Sequence, residues 1–228
     1  MKKTLLGEEN MEWNDLIYAR QSFNLFDKDE IIPDEHVHKM MEDLCATLPS
    51  KQGRYPYFID VFNWSDPEKR MWMYDYCTWI DDNPDNPKPY NRQPQMLAPI
   101  IFTFTVPNQK VTDFSVPEQD WPIGLRIDST EVSYYEIGFA AMHLCHAATD
   151  LGYHTGFCAC IPDYTVLAKN IGYEDATTCL VLGIGTMPEG MSQKSNDFVC
   201  PIDNIHYKRG VHWNQPRPEI GKFIKYHS

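Results

Sequence analysis

Apolar side chains recur at Val37, Met40, Met41, Leu44 and Leu48, a spacing that lines one face of a helix. Pro33 suits the first turn and Pro49 the stop, so the pattern predicts a helix over 33–48. Trp13, Leu16 and Ile17 predict a shorter amphipathic helix over 11–20, which runs into Arg20-Gln-Ser-Phe. Tyr57 to Trp64 is rich in aromatic and branched residues and reads as a strand. Ser65-Asp-Pro-Glu68 resembles a capping box with Pro67 in the first turn, opening a helix toward Ile80. Between Asp81 and Gln95 fall Pro84, Pro87, Pro89 and Pro94, a density that predicts a long irregular loop or flap.

The second half alternates more clearly. Pro99 to Val106 (PIIFTFTV) predicts a strand inside a sheet. Asp128-Ser-Thr-Glu131 is a second helix start, and the run that follows to Leu151 is apolar nearly all round, which predicts a central buried helix ended by Gly152. Gly156 to Ile161 reads as extended, Asp163 to Ile171 as a short helix closed by Gly172, and Cys179 to Gly185 as another strand. Ile220 to Tyr226 suggests a last one. Strands and helices mix without a repeat or a linker that cuts the chain. The expectation is therefore an α+β fold in a single domain, 1–228.

Composition narrows the function. The formal net charge is −12, and hydrophobic residues make up 43% of 228. An acidic chain with no basic stripe is a poor partner for nucleic acid or an anionic bilayer. No apolar run reaches membrane-spanning length, and the start lacks the apolar core of an export signal. Seven cysteines, an odd number in a chain able to build a core without staples, fit reduced thiols in a cytoplasm.

Two segments carry chemistry. Arg20, Gln21 and Ser22 place a fixed cation beside two side-chain donors at a helix end, a grouping suited to a phosphate or a polyol. Pro49-Ser-Lys-Gln-Gly-Arg-Tyr-Pro-Tyr57 joins a helix to a strand with small and polar residues that let a backbone approach a flat ligand. In order and distance, Arg20, Ser22, Pro49, Ser50, Pro56 and Tyr57 resemble the flavin-dependent nitroreductase family. Asn91 before Ala98-Pro99, the Ala-rich helix ending at Leu151-Gly152, the strand ending Gly183-Ile-Gly185, and Arg217-Pro218 continue the likeness over nearly the whole chain.

The resemblance implies a mainly antiparallel sheet flanked by helices, an intertwined homodimer and one FMN per subunit. It further implies electrons arriving from NADH or NADPH and leaving to a small aromatic or conjugated acceptor of nitroaromatic or quinone type. Carried over residue by residue, Arg20, Gln21, Ser22 and Arg217 look like phosphate and ribityl contacts. Pro49, Ser50 and Lys51 look like flavin contacts from the loop, and Asn91 a partner for the ring's polar edge. The backbone N–H groups of Cys160 and Ile161 match those turned toward flavin N5. The segment 66–95 lies where the family varies, and Trp72, Tyr76 and Trp79 would form an aromatic substrate lid. Asn24 and Gly53 depart from the family's basic residue and asparagine. They leave open a flavin-handling protein of the same fold without nicotinamide-driven turnover, and a separate alternative is an interaction protein with 66–95 as its contact surface. The dehalogenase branch's Glu-x-x-x-Tyr is absent from the lid, which disfavours halotyrosine reduction. His143, Cys145, His146, His154, Cys158 and Cys160 lack a metal-binding spacing and read as core thiols and imidazoles, with no metal expected. His36 and His38 read as the solvent face of their helix.

Overall fold

The structure is a computed structural model. It describes residues 12–20, 22–27, 29–50, 55–77, 79–80, 90–91, 93–108, 130–188, 197–199 and 206–208. Met1–Pro188 and Glu189–Ser228 form two compact units.

In the first unit the helices are α1 (Trp13–Ala19), α2 (Asp34–Thr47), α3 (Pro67–Cys77), α4 (Thr130–Asp150) and α5 (Tyr164–Asn170). The strands are β1 (Phe58–Phe62), β2 (Trp79–Ile80), β3 (Tyr90–Asn91), β4 (Ile100–Pro107), β5 (His154–Cys158) and β6 (Ala176–Gly185). A 3-10 turn spans Pro94–Leu97. Four strands make one antiparallel sheet in the order β1-β4-β6-β5. This is the α+β, mainly antiparallel architecture that the pattern and the resemblance predict. In the second unit β7 (Asp197–Val199) pairs antiparallel with β8 (His206–Lys208).

The core forms because two apolar stripes meet one sheet face. Val37, Met40, Leu44 and Leu48 from the α2 side and Ile137, Ala140, Ala141, Leu144 and Ala148 of α4 cover Ile100, Phe102, Phe104, Leu182 and Ile184. The small α4 residues let that helix lie close to the strands. Between β4 and β6 the register shifts at Phe104/Thr105, and beyond it Thr105 and Thr178 join hydroxyls at 2.9 Å.

Several boundaries move for local reasons. Asp66, rather than Ser65, caps α3, its Oδ1 accepting the Lys69 N–H at 2.9 Å. That helix stops at Cys77, and Trp79 and Ile80 turn extended to pair with Asn91 and Tyr90. The proline-rich stretch is thus not irregular throughout: it contains β3 and the 3-10 turn, while 81–89 lies outside the described residues. Also outside them is the expected strand at 220–226. His36 is a correction. It is buried, its Nδ1 bonded to Tyr153 Oη at 2.6 Å, because it lies one position from the buried stripe and meets the chain just past α4. The helix ends behave as predicted, with Gly152 at φ 87° after α4 and Gly172 at φ 114° after α5.

Arg70 is completely buried and donates to the carbonyls of Phe62, Met96 and Ala98 at 2.7–2.9 Å. Its guanidinium also lies 4.6 Å from the Trp64 ring centroid. Burial pushes its pKa down to about 9, which leaves the cation charged at neutral pH. Three carbonyls from two separate segments therefore depend on one side chain. Arg70→Ala should cost about 3 kcal/mol or more, since it strands buried acceptors. Arg70→Lys, a point charge unable to reproduce the planar fork, should recover only part of the loss. Urea unfolding of the three proteins measures both.

Candidate functional site

After α1 the chain crosses the sheet edge. Ser22 forms a parallel bridge with Thr155, and the Phe23 N–H donates to the Thr155 carbonyl at 2.7 Å. Farther along, the Asp27 N–H donates to the Thr186 carbonyl, and Glu30 Oε2 accepts both the N–H and the hydroxyl of Thr186 at 2.7 Å. Gly156 permits the crossing: a Cβ there would stand 1.7 Å from the Phe23 carbonyl oxygen. Gly183 would likewise meet the Gln95 carbonyl at 2.6 Å.

This stitching places Arg20 and Ser22 at the C-terminal half of α4. Arg20 is half-buried and Ser22 exposed. The Cys145 thiol is pushed up by burial and held back by Thr155 and Arg20. His146 is shifted down by burial first, then by Arg20 and by His143. Among the described residues no carboxylate pairs with Arg20. The half-buried guanidinium thus stands beside the Cys145 thiol and the His146 imidazole without a carboxylate among the described residues.

The Pro49–Ser50 end of the other predicted segment meets the N-terminal half of α4. Ser50 Oγ donates to Glu136 Oε2 at 2.8 Å, and the Tyr55 N–H donates to Ser50 Oγ at 2.9 Å. Thr47 Oγ1 lies 3.2 Å from His143 Nε2 on the same helix. Glu136 went unnoticed in the sequence because it interrupts an otherwise apolar run. A lone carboxylate at a buried helical position was the available signal.

A third group lies beyond the end of β5. Cys160 is exposed and Ile161 buried, and a hydrogen bond from the Cys160 backbone counters the burial that drives the Cys158 thiol up to about 11. Tyr76 Oη donates to the Asp163 carbonyl at 3.0 Å, and the Trp72 ring stacks on Tyr76 at 5.1 Å between centroids. Two members of the predicted aromatic lid thus stand beside the predicted backbone donors. The opposite face of α3, with Arg70, Met73 and Cys77, is core, so α3 is anchored. Asn91 and Trp79 are opposed across β3 and β2. Gln21, Lys51 and Arg217, and with them Gly53, lie outside the described residues. Among the described residues no group of three His, Cys, Asp or Glu could hold a metal ion, and no helix is long and apolar enough to cross a membrane.

No protein-family model matches the chain, and no curated protein does. Solved structures do. One from Staphylococcus epidermidis, provisionally assigned as an NAD(P)H:FMN oxidoreductase, superposes with a TM-score of 0.66 at 16% identity, covering 96% of this chain and 98% of its own. The chain has the nitroreductase fold. A nitroreductase family protein from Clostridium difficile covers 96% of this chain and 99% of its own at TM-score 0.60 and 11% identity. NfrA2 of Bacillus megaterium matches at 0.59 and 18%, over 81% and 70% respectively. Among these nitroreductase folds the present chain is similar in path along almost its full length and distant in sequence.

His146 and His154 both sit below the ordinary histidine value of 6.5, His154 through burial that Glu30 only partly opposes. A base whose folded pKa is lowered binds fewer protons than its unfolded form. Stability from these two groups is therefore present above 6.5 and falls as pH drops below it, until the lowered folded values are passed. Arg20→Gln should raise the His146 pKa without restoring it fully, since burial remains. NMR titration of the imidazole Hε1 resonance checks the direction.

Proposed function

We propose that the protein is an FMN-dependent oxidoreductase that passes electrons from NADH or NADPH to a small aromatic or conjugated acceptor. The observation that carries this reading is Arg20: a half-buried cation without a carboxylate partner among the described residues, beside the exposed Ser22. In a chain of net charge −12 such a cation costs desolvation that an anionic ligand offsets. That donor set suits a phosphate, so the residues present fit FMN. Arg20 and Ser22, with Gln21 and Arg217, would hold the phosphate and ribityl chain. Pro49, Ser50 and Lys51 would border the ring, Asn91 its polar edge, and Ile161 would offer its backbone N–H at N5, joined by that of Cys160 on leaving the Cys158 thiol. When bound, FMN supplies the two-electron hydride chemistry. The protein orients it, and no side chain is assigned as acid or base. Trp72 and Tyr76, with Trp79, would meet the acceptor, their stacked rings offering an aromatic face.

A second copy of the chain belongs to this reading. Tyr135, Phe139, Met142 and His146 follow one face of α4 at helical spacing, and Tyr135 and Phe139 are 67% and 56% exposed. Trp13 of α1, 61% exposed, extends the patch by packing edge-on against His146 at 5.5 Å. An apolar stripe of this extent on the longest helix is suited to self-association. The Arg20 and Ser50 groups flank it at opposite ends, about 14 Å apart along the axis, so a homodimer seated there would complete both.

The alternative of a flavin-handling protein without turnover is separated by reduction. Purified protein should carry a flavin spectrum that NADH or NADPH bleaches and an acceptor restores. A flavin that no nicotinamide bleaches would favour the alternative. Arg20→Ala should weaken FMN binding by about 2 kcal/mol, roughly thirtyfold, the scale of losing a charged hydrogen bond. Fluorescence titration measures it, and unchanged affinity would remove the phosphate assignment. For assembly, Phe139→Glu should convert a dimer into monomers at micromolar concentration by sedimentation velocity, because it buries a charge in the stripe.

A further inference from the structure

The Ser50 hydroxyl has one proton and two lone pairs. Its proton is donated to Glu136 Oε2 and one lone pair receives the Tyr55 N–H. A direct contact from this hydroxyl to a ligand would therefore have to use the one remaining lone pair. Glu136 is 3% exposed, and a carboxylate is rarely held so deep on an apolar helix without a task. Tyr55 has φ 44°, the left-handed region that a bulky aromatic residue enters only under constraint. The constraint is visible: the Tyr55 N–H is bound to Ser50, its carbonyl accepts the Tyr57 N–H at 2.8 Å, and its hydroxyl donates to the Leu48 carbonyl at 3.2 Å. Beside it Tyr57 is buried, its pKa raised by burial and by Glu136.

We propose that Glu136 is a positioning residue. With Ser50 it forms a pin that ties Ser50 to Tyr55 and keeps Tyr55 in its constrained conformation. Ser50 then serves the flavin site by fixing the loop and not by binding the cofactor itself. This rests on the flavin reading above, and it reassigns a residue that the family resemblance makes a flavin contact.

Ser50→Ala, Glu136→Leu, Glu136→Gln and the double variant S50A/E136L are compared by two measurements. The first is the FMN dissociation constant. The second, independent of flavin, is hydrogen exchange at the Tyr55 amide in the flavin-free protein. A shared pin predicts that S50A and E136L each weaken FMN about tenfold and that the double variant is no worse than either. Glu136→Gln, whose amide oxygen still accepts the hydroxyl proton, should stay within about threefold of wild type. Tyr55 exchange should accelerate in S50A and E136L and not in E136Q. Additive losses, about a hundredfold in the double variant, would mean that Ser50 and Glu136 act separately and would overturn the proposal. Unchanged Tyr55 exchange in S50A would overturn it too. If wild-type protein binds no FMN, the flavin reading fails and the exchange measurement alone decides the pin. Should E136L not fold, Ser50→Thr replaces it: the retained hydroxyl must protect Tyr55 as in wild type, and loss of protection counts against the pin.

Discussion

The path of residues 22–27 across the edge of the sheet is the constraint on which the candidate site depends. A backbone can run that close to a strand only where the strand offers no side chain, and Gly156 leaves the room that the Phe23 carbonyl occupies. Bonds to Thr155 and Thr186 then fix the segment at both ends. Arg20 inherits its position from this arrangement, three residues before the first bond. The site's charge is thus placed by main-chain geometry, and its precision comes from packed strands and not from the loop that carries it.

Helix α4 is the second organising element. Its small residues face the sheet, its carboxylate takes the loop after α2, and its C-terminal half adjoins α1 and Arg20. The helix looks nearly uniform in sequence because these separate tasks leave almost no polar face. Periodicity alone predicted burial all round, whereas Tyr135 and Phe139 stand exposed in the single chain. A helix with so little polar surface is one whose separate faces are told apart by contacts rather than by pattern.

Much of the fold was readable from pattern and punctuation. Proline, glycine and capping residues bracket α2, α4 and α5 where the structure ends them to within about two residues, and the strand predicted at 99–106 is β4 to within one. What escaped was set by contacts between distant residues. His36 has no sequence signal for burial, because Tyr153, its partner, is 117 positions away. Asp66 and Ser65 compete as adjacent caps, and the choice is made by which side chain reaches the Lys69 N–H. Arg70 reads as a solvated helix charge until three carbonyls from β1 and the 3-10 turn converge on it. For the site, residue types and order pointed to Arg20, Ser22 and the Ser50 loop. The Glu136 pairing needed coordinates, since it joins residues 86 apart.

The arrangement around Arg70 bears on how this fold diversifies. One guanidinium holds the end of β1, through Phe62, and the 3-10 turn, through Met96 and Ala98, while itself standing on α3. The chain between Cys77 and Gln93 therefore leaves from and returns to elements already tied together, and β2 paired with β3 closes its base. Lengthening a segment whose ends are held in this way adds only a slowly growing closure entropy. Insertions and deletions can accumulate there while the four-stranded sheet keeps its register.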